Sequence, residues 1–141
     1  MGTLPCVESV VPPRAVALER PWPNVMRFTW LVSMVATAAA ALASQTVGKP
    51  AWWIGSDANP AFVGLWVLPF VAPIVAMVAI RRWPWRSPWI GAACSLVTCG
   101  YAVGDVGNSP GTAVVMAAIA AATLLASVAS LVGRSVRTVS D

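Results

Sequence analysis

Residues 112–132 read TAVVMAAIAAATLLASVASLV, and this stretch decides the fold class of the chain. It contains no charged residue, and a helix needs about 20 apolar residues to cross the roughly 30 Å of hydrocarbon in a bilayer. Three more stretches qualify, at about 28–47, 61–80 and 89–106, and the only charged residue in them is Asp105, near the end of the third. The sequence therefore predicts an all-α integral membrane protein, a four-helix bundle with short loops.

Composition supports this reading over that of a soluble domain. Apolar residues make up 58% of the 141 residues and charged residues only 10%, far from the balance of soluble domains. We expect a proline-containing segment at 1–24, a transmembrane domain at 25–133 and a polar tail at 134–141. Asn59, Ser87 and Ser109 each precede a proline, the pattern of a capping residue followed by proline at the first helical position.

The basic residues predict the direction of the four spans. The chain has nine, and the two ends together with the connection between spans two and three hold all of them except Lys49. Cytoplasmic loops of membrane proteins carry the excess of Arg and Lys. We therefore expect both termini in the cytoplasm and no nucleic-acid partner, although the net charge is +4.

The composition also predicts the type of organism and the membrane in which the protein lies. Alanine-rich spans and the use of Arg over Lys indicate a GC-rich bacterial genome, so the inner (plasma) membrane is the expected location. The small residues around Ala43 resemble a signal-peptide cleavage site. The region before the first apolar run is longer than usual for a signal, and we expect the first span to be retained.

Residues typical of catalysis or metal binding are missing from the sequence. There is no histidine, and the three cysteines show no CxxC spacing. Paired carboxylates, a glycine-rich phosphate loop and a GxSxG elbow are missing as well. The sequence predicts no enzyme activity and no cofactor.

Small and hydroxyl residues recur at helical spacing in three spans, which is typical of helix–helix contacts in membranes. In the fourth span the series is Met116, Ala120, Thr123, Ser127 and Ser130. In the third it is Gly91, Ser95, Thr98, Ala102 and Asp105, and the pair Gly100 and Gly104 adds a GxxxG spacing. In the first it is Thr29, Ser33, Thr37, Ala40 and Ser44. We interpret these series as packing faces, with a hydrophilic path for a small solute as the alternative. The GxxxG pair is likewise interpreted as close packing, with a dimer face as its alternative.

Three residues inside the spans have a second interpretation. Asp105 is either a solvated helix end or an ion or proton site, since carboxylates within membranes are often functional. Pro69 and Pro73 predict a kink in the second span. The kink is either a fixed bend or the hinge of a transporter.

The connection between spans two and three combines cations with indoles. We predict that it contacts lipid head groups or a partner through Arg81, Arg82, Trp83, Trp85, Arg86 and Trp89. Further tryptophans belong to the predicted aromatic belts, Trp22 and Trp30 on the cytoplasmic side and Trp52 and Trp53 on the other.

These features favour a small non-catalytic membrane protein that acts through helix and lipid contacts, as an accessory, assembly or regulatory subunit. Its partners would be the bilayer and either another protein or further copies of itself. One alternative is a homo-oligomeric transporter or channel for a small solute. The other is a membrane-permeabilising or exclusion protein of a mobile element.

Overall fold

Four helices contain most of the chain. The computed structural model describes residues 15–18, 21–56, 58–132 and 134–137. The helices are α1 (Pro21–Thr46), α2 (Val63–Arg82), α3 (Ser87–Asp105) and α4 (Pro110–Val132). By length and apolar composition, α1, α2 and α4 can each cross a membrane; α3, the shortest of the described helices and the richest in glycine, is not among them. The prediction of four helices is confirmed, and the membrane crossing of α3 stays a prediction.

The predicted start signals are only partly correct. α4 begins at Pro110 directly after Ser109, whose Oγ lies 2.8 Å from Oγ1 of Thr112 and whose carbonyl accepts the N–H of Ala113. By contrast, Ser87 is the first residue of α3, and its hydroxyl donates to the Pro84 carbonyl at 2.9 Å. Asn59 does not cap α2 at all, because the backbone there forms a short strand and the helix begins only at Val63.

Both ends of α1 follow from its sequence. It begins at Pro21, inside the predicted 1–24 segment, because the first turn of a helix needs no donor and tolerates proline. At the other end Gly48 takes a positive φ of 71°. The N–H groups of Gly48 and Lys49 donate to the carbonyls of Gln45 and Ser44. This is a Schellman motif, which satisfies the last carbonyls of a helix.

Four short strands flank or connect the helices. β1 (Ala15–Leu18) and β4 (Arg134–Arg137) pair antiparallel, so the segment before α1 meets the segment after α4 at one end of the helices. β2 (Gly55–Ser56) and β3 (Asn59–Pro60) form a small hairpin. The hairpin lies within the α1–α2 loop, by which we mean residues 47–62.

Each helix packs against two others. α1 contacts α2 and α4, and α3 contacts the same two, so the four helices form a closed ring. On α1 the buried residues recur at intervals of four and three, the repeat that keeps one seam facing a partner in left-handed supercoiled bundles. These residues are Met26, Trp30, Ser33, Thr37, Ala40 and Ser44.

The series of small residues coincide with the buried faces, with one change on α1. On α3 and α4 the structure buries Gly91, Ser95, Thr98, Ala102, Asp105, Met116, Ala120, Thr123, Ser127 and Ser130. Thr29 is only half-buried, and Met26 and Trp30 continue the α1 face instead. Trp30 is 2% exposed, so its assignment to the interfacial belt was wrong. Its indole fills the core between α1 and α2.

α3 and α4 approach each other closely at Gly91. A Cβ placed there would lie 2.5 Å from Oγ of Ser127, a separation that real side chains do not adopt. One helical turn further on, Oγ of Ser95 lies 2.9 Å from Oγ1 of Thr123. Backbones therefore approach each other because the side chains between them are small.

The GxxxG pair does not pack as predicted. Gly100 is exposed, and nothing lies within 4 Å of the place where its Cβ would be. Gly104 does have a close neighbour, but this is the indole of Trp52 in the α1–α2 loop. Neither glycine contacts another helix of the described chain, because the buried face of α3 passes through Gly91, Thr98 and Ala102 instead.

α2 runs through both of its prolines. Pro69 and Pro73 are buried within one helix, Val63–Arg82. The hydroxyl of Tyr101 on α3 donates to the carbonyl of Leu68 at 3.3 Å, beside the turn that the prolines weaken. The apolar face of α2 then joins α1 and α3 in one core cluster of Met26, Trp30, Ala72, Ala76, Ile80 and Cys94.

The approach of α3 to α4 can be tested at Gly91. We expect Gly91→Ala to lower the free energy of unfolding by about 1–3 kcal/mol relative to Gly100→Ala, the usual cost of overpacking. Both variants gain the same helix propensity, but only at Gly91 does the added methyl group displace the Ser127 hydroxyl. Thermal unfolding followed by circular dichroism in one mild detergent measures the change. Gly100→Ala is the matched control and should not destabilise, since its Cβ meets open space. Ser127→Ala added to Gly91→Ala should restore part of the loss; equal midpoints for Gly91→Ala and Gly100→Ala would contradict the contact.

Candidate functional site

The hydroxyl groups between the helices are satisfied within the protein. Ser33 and Thr37 donate to the carbonyls of Trp30 and Ser33 at 2.9 and 2.8 Å. Thr98 and Ser127 donate to carbonyls one turn earlier in their own helices, at 3.0 and 2.8 Å. Such bonds allow a hydroxyl to lie in an apolar interior without the cost of an unmade hydrogen bond. These groups need neither water nor a ligand to complete them.

Asp105 is the exception among the buried polar side chains. It is the last residue of α3 and is 0% exposed, so the solvated helix end considered above is wrong. Its Oδ1 accepts the backbone N–H of Trp52 at 2.9 Å, across 53 residues of sequence. Its main-chain carbonyl accepts the N–H of Ser109 at 2.8 Å, which fixes the turn into α4. One residue therefore connects the end of α3 with two loops.

Two buried polar atoms lie unpaired at this site. Within the described part of the chain, Oδ2 of Asp105 and Nε1 of Trp53 are the buried side-chain atoms that lack a hydrogen-bond partner. Unpaired buried groups of this kind are costly.

The tryptophans of the α1–α2 loop cover the carboxylate. The ring of Trp52 stacks on Tyr101 with centroids 6.2 Å apart and lies against Gly104. Trp53 is 2% exposed and packs with Ala51 and Ile54, so it does not belong to an interfacial belt. On α2, Nε1 of Trp66 donates to the Ile54 carbonyl at 3.1 Å. The loop is thus a packed cap on one end of the helices.

This geometry gives Asp105 a structural role. Its other interpretation, as an ion or proton site, stays a prediction. A buried carboxyl oxygen that accepts a backbone N–H anchors the loop. The free Oδ2 is the atom that would take a proton or an ion. No group of three or more metal-ligating side chains occurs in the described ranges.

The connection between α2 and α3 lies at the opposite end of the helices, and we call this end the arginine end. All six residues predicted to contact lipid or a partner are exposed there, namely Arg81, Arg82, Trp83, Trp85, Arg86 and Trp89. The guanidinium of Arg86 lies 4.3 Å from the centroid of the Trp85 ring, a cation–π contact. Exposed indoles and cations are what an interfacial contact requires. The contact itself stays a prediction.

Two features of the site were not predicted from the sequence. One is the cap formed by Trp52 and Trp53, which depends on a contact across 53 residues that no local pattern signals. The other is the placement of Arg27 beside Arg81, since the two arginines belong to different helices. The number of charges can be read from the sequence, but the groove that the two arginines share cannot.

The anchoring role of Asp105 can be tested at the Trp52 amide. We expect Asp105→Ala to increase hydrogen exchange of that amide roughly ten- to hundred-fold, because its N–H loses a buried acceptor. Asp105→Asn keeps an oxygen in the position of Oδ1 and should preserve most of the protection. Ser109→Ala is the control at the same end of the helices and should leave Trp52 unchanged. Unaltered exchange in Asp105→Ala would show that the loop is held by its tryptophans alone.

Comparisons with known proteins give no relative to guide the reading of this site. No protein-family model, curated protein or solved structure matches the chain.

Proposed function

We propose that the chain is a small, non-catalytic protein of a bacterial inner membrane that works as an accessory, assembly or regulatory subunit. It crosses the membrane four times, with both termini in the cytoplasm, and acts through contacts with lipid and with a helix of a partner. The observation that carries the proposal is the use of the buried polar groups. Hydroxyls bond within their own helices, and the buried carboxylate found among the described residues, Asp105, holds a loop.

Four crossings are supported by the length and neighbours of α3. At about 1.5 Å per residue, a helix of 19 residues is about 28 Å long, close to the thickness of the hydrocarbon. α3 packs between α2 and α4, both of which are long and apolar enough to cross. The hydroxyls that lower its mean apolarity face those neighbours rather than the surroundings.

The orientation is supported by the separation of charge. Arg27, Arg81, Arg82 and Arg86 are exposed at the arginine end, and Lys49 is exposed in the α1–α2 loop at the other. The excess of positive charge belongs on the cytoplasmic side. The pairing of β1 with β4 fits this arrangement, because it brings the segments before α1 and after α4 together.

A contact surface for a partner is supported by the outward face of α3. Gly100 lies in the middle of this face with open space around it, between Leu96, Val97 and Val103, all of which are more than half exposed. Glycine within a helix costs about 1 kcal/mol relative to alanine. In membranes, glycine at a helix surface lets a second helix approach closely. No described helix of this chain occupies that place.

The orientation can be tested with Lys49, the only lysine in the chain. A membrane-impermeant amine reagent applied to intact spheroplasts should label Lys49, and Lys49→Arg should abolish that labelling. In the variant Lys49→Arg/Arg86→Lys the new amine lies on the cytoplasmic side. It should react only after the membrane is permeabilised. Labelling of this variant in intact spheroplasts would contradict the four-span topology.

The partner can be tested by extraction in a mild detergent with a C-terminal tag, followed by native mass spectrometry. We expect a different protein at fixed stoichiometry, and we expect Gly100→Leu to reduce its retention at least about tenfold, because the larger side chain prevents close approach. Gly111→Leu is the matched control, since Gly111 also faces open space but lies in the first turn of α4. Unfolding midpoints show whether each variant is intact.

Other outcomes of that experiment, and of measurements of solute flux and of growth on expression, would favour a different function. A homo-oligomer that Gly100→Leu dissociates would favour the transporter or channel. If that oligomer carries a small solute across the membrane and Asp105→Asn abolishes the flux, transport would replace the accessory role as the proposed function. Growth arrest with loss of membrane potential on expression would favour the permeabilising or exclusion protein. A monomer without a partner, or equal retention in Gly100→Leu and Gly111→Leu, would contradict the proposed surface.

A further inference from the structure

A groove with a volume of about 740 Å³ runs between α1 and α2 at the arginine end. Arg27 and Arg81 lie in its lining, one contributed by each helix. The rest of the lining is apolar and consists of Phe28, Leu31, Ile74, Met77 and Val78. We call this feature the arginine groove.

The arginine groove is a surface slot with a closed floor. Behind it lies the core cluster that contains Met26, Trp30 and Ile80, each of which is at most 3% exposed. The walls are open to the surroundings, since Phe28 is 69% and Leu31 52% exposed. An occupant therefore enters from the side of the helices, where lipid would lie, and does not continue into the bundle.

The described charged residues that line the groove are both positive. Asp105 is the only carboxylate within the described ranges 21–56 and 58–132, and it lies at the opposite end of the helices. Arg27 and Arg81 are both exposed, so their guanidinium groups can turn toward an occupant. Guanidinium groups bind phosphate oxygens through strong, charge-assisted hydrogen bonds.

The apolar walls extend away from the arginines along the helices. From Arg81 to Ile74 the distance is seven residues, or about 10 Å along α2. A free phosphate ion would use the arginines and leave this wall uncovered. A phospholipid uses both, with its phosphate at the cations and an acyl chain along the wall.

We infer that the arginine groove binds one anionic phospholipid, whose phosphate is held between Arg27 and Arg81 and whose acyl chain lies against Leu31, Ile74 and Val78. The inference rests on the membrane placement given under the proposed function. It is separate from the general interfacial contact of the α2–α3 connection, from which Arg81 alone contributes to the groove. Basic grooves between transmembrane helices on the cytoplasmic side are a recurrent type of lipid site.

The test uses the full chain reconstituted with equal amounts of phosphatidylglycerol and phosphatidylcholine, then released in mild detergent for native mass spectrometry. We expect one phosphatidylglycerol per chain to be retained over phosphatidylcholine. Arg27→Gln/Arg81→Gln should reduce this preference at least about tenfold, since two charge-assisted contacts are lost. Arg82→Gln/Arg86→Gln removes the same charge from the α2–α3 connection, outside the groove lining. It should weaken the general attraction of that connection to anionic lipid, but it should reduce the preference for one bound phosphatidylglycerol far less than the groove variant does. An equal loss in both double variants would show only general attraction to anionic lipid, and would overturn the site.

A second variant tests the acyl chain separately from the phosphate. Ile74→Trp keeps both arginines but fills the groove, so retention of phosphatidylglycerol should fall while helix content and unfolding midpoint stay close to those of the wild type. Competition with millimolar inorganic phosphate should not displace the lipid, and displacement would overturn the lipid site. Lys49 labelling and partner retention are measured on the same variants. Lost lipid preference with unchanged labelling and partner supports the site, whereas reversed labelling in the wild type contradicts the membrane placement itself.

Discussion

The close approach of α3 and α4 at Gly91 is the contact on which the other helix positions depend. Ser127 fills the space that a side chain at Gly91 would need, and the bond between Ser95 and Thr123 lies one turn away. In hydrocarbon there is little hydrophobic drive between helices, so van der Waals contact between small residues must supply the attraction. α1 and α2 then close the ring, α1 against α4 and α2 against α3.

The two ends of the ring are stabilised by different chemistry. Near the arginine end the space between α1, α2 and α3 is filled by large side chains, above all Met26 and Trp30. At the other end the α1–α2 loop covers the helices, and Asp105 holds its backbone at Trp52. A buried carboxylate with one satisfied and one free oxygen is an unusual anchor, because the free oxygen lowers the stability that the bond contributes. Among the described residues it is also the only buried carboxyl group, and its free oxygen could still bind a proton or an ion.

These features explain why contacts, and not catalysis, lead the functional proposal. The polar groups between the helices form hydrogen bonds with main-chain carbonyls of their own helices. In the described part of the chain the interior therefore offers no continuous set of free donors and acceptors. The groups that remain available lie on the surface. Gly100 leaves open space on α3, and the arginine groove joins cations to an apolar wall. Both suit partners that approach from the side of the helices.

Sequence alone determined the number of helices, the approximate bounds of each and the small residues that face inward, because apolar length and a repeat of four and three residues are local properties. It also determined the asymmetry of charge between the ends. Tertiary structure decided the rest. Gly91 and Gly100 look alike in sequence, yet only Gly91 meets another helix, since the rotation of α3 depends on all its neighbours. Trp52 contacts Asp105, and Arg27 lines the same groove as Arg81, because folding brings together residues whose separation of about fifty positions leaves no periodic signal.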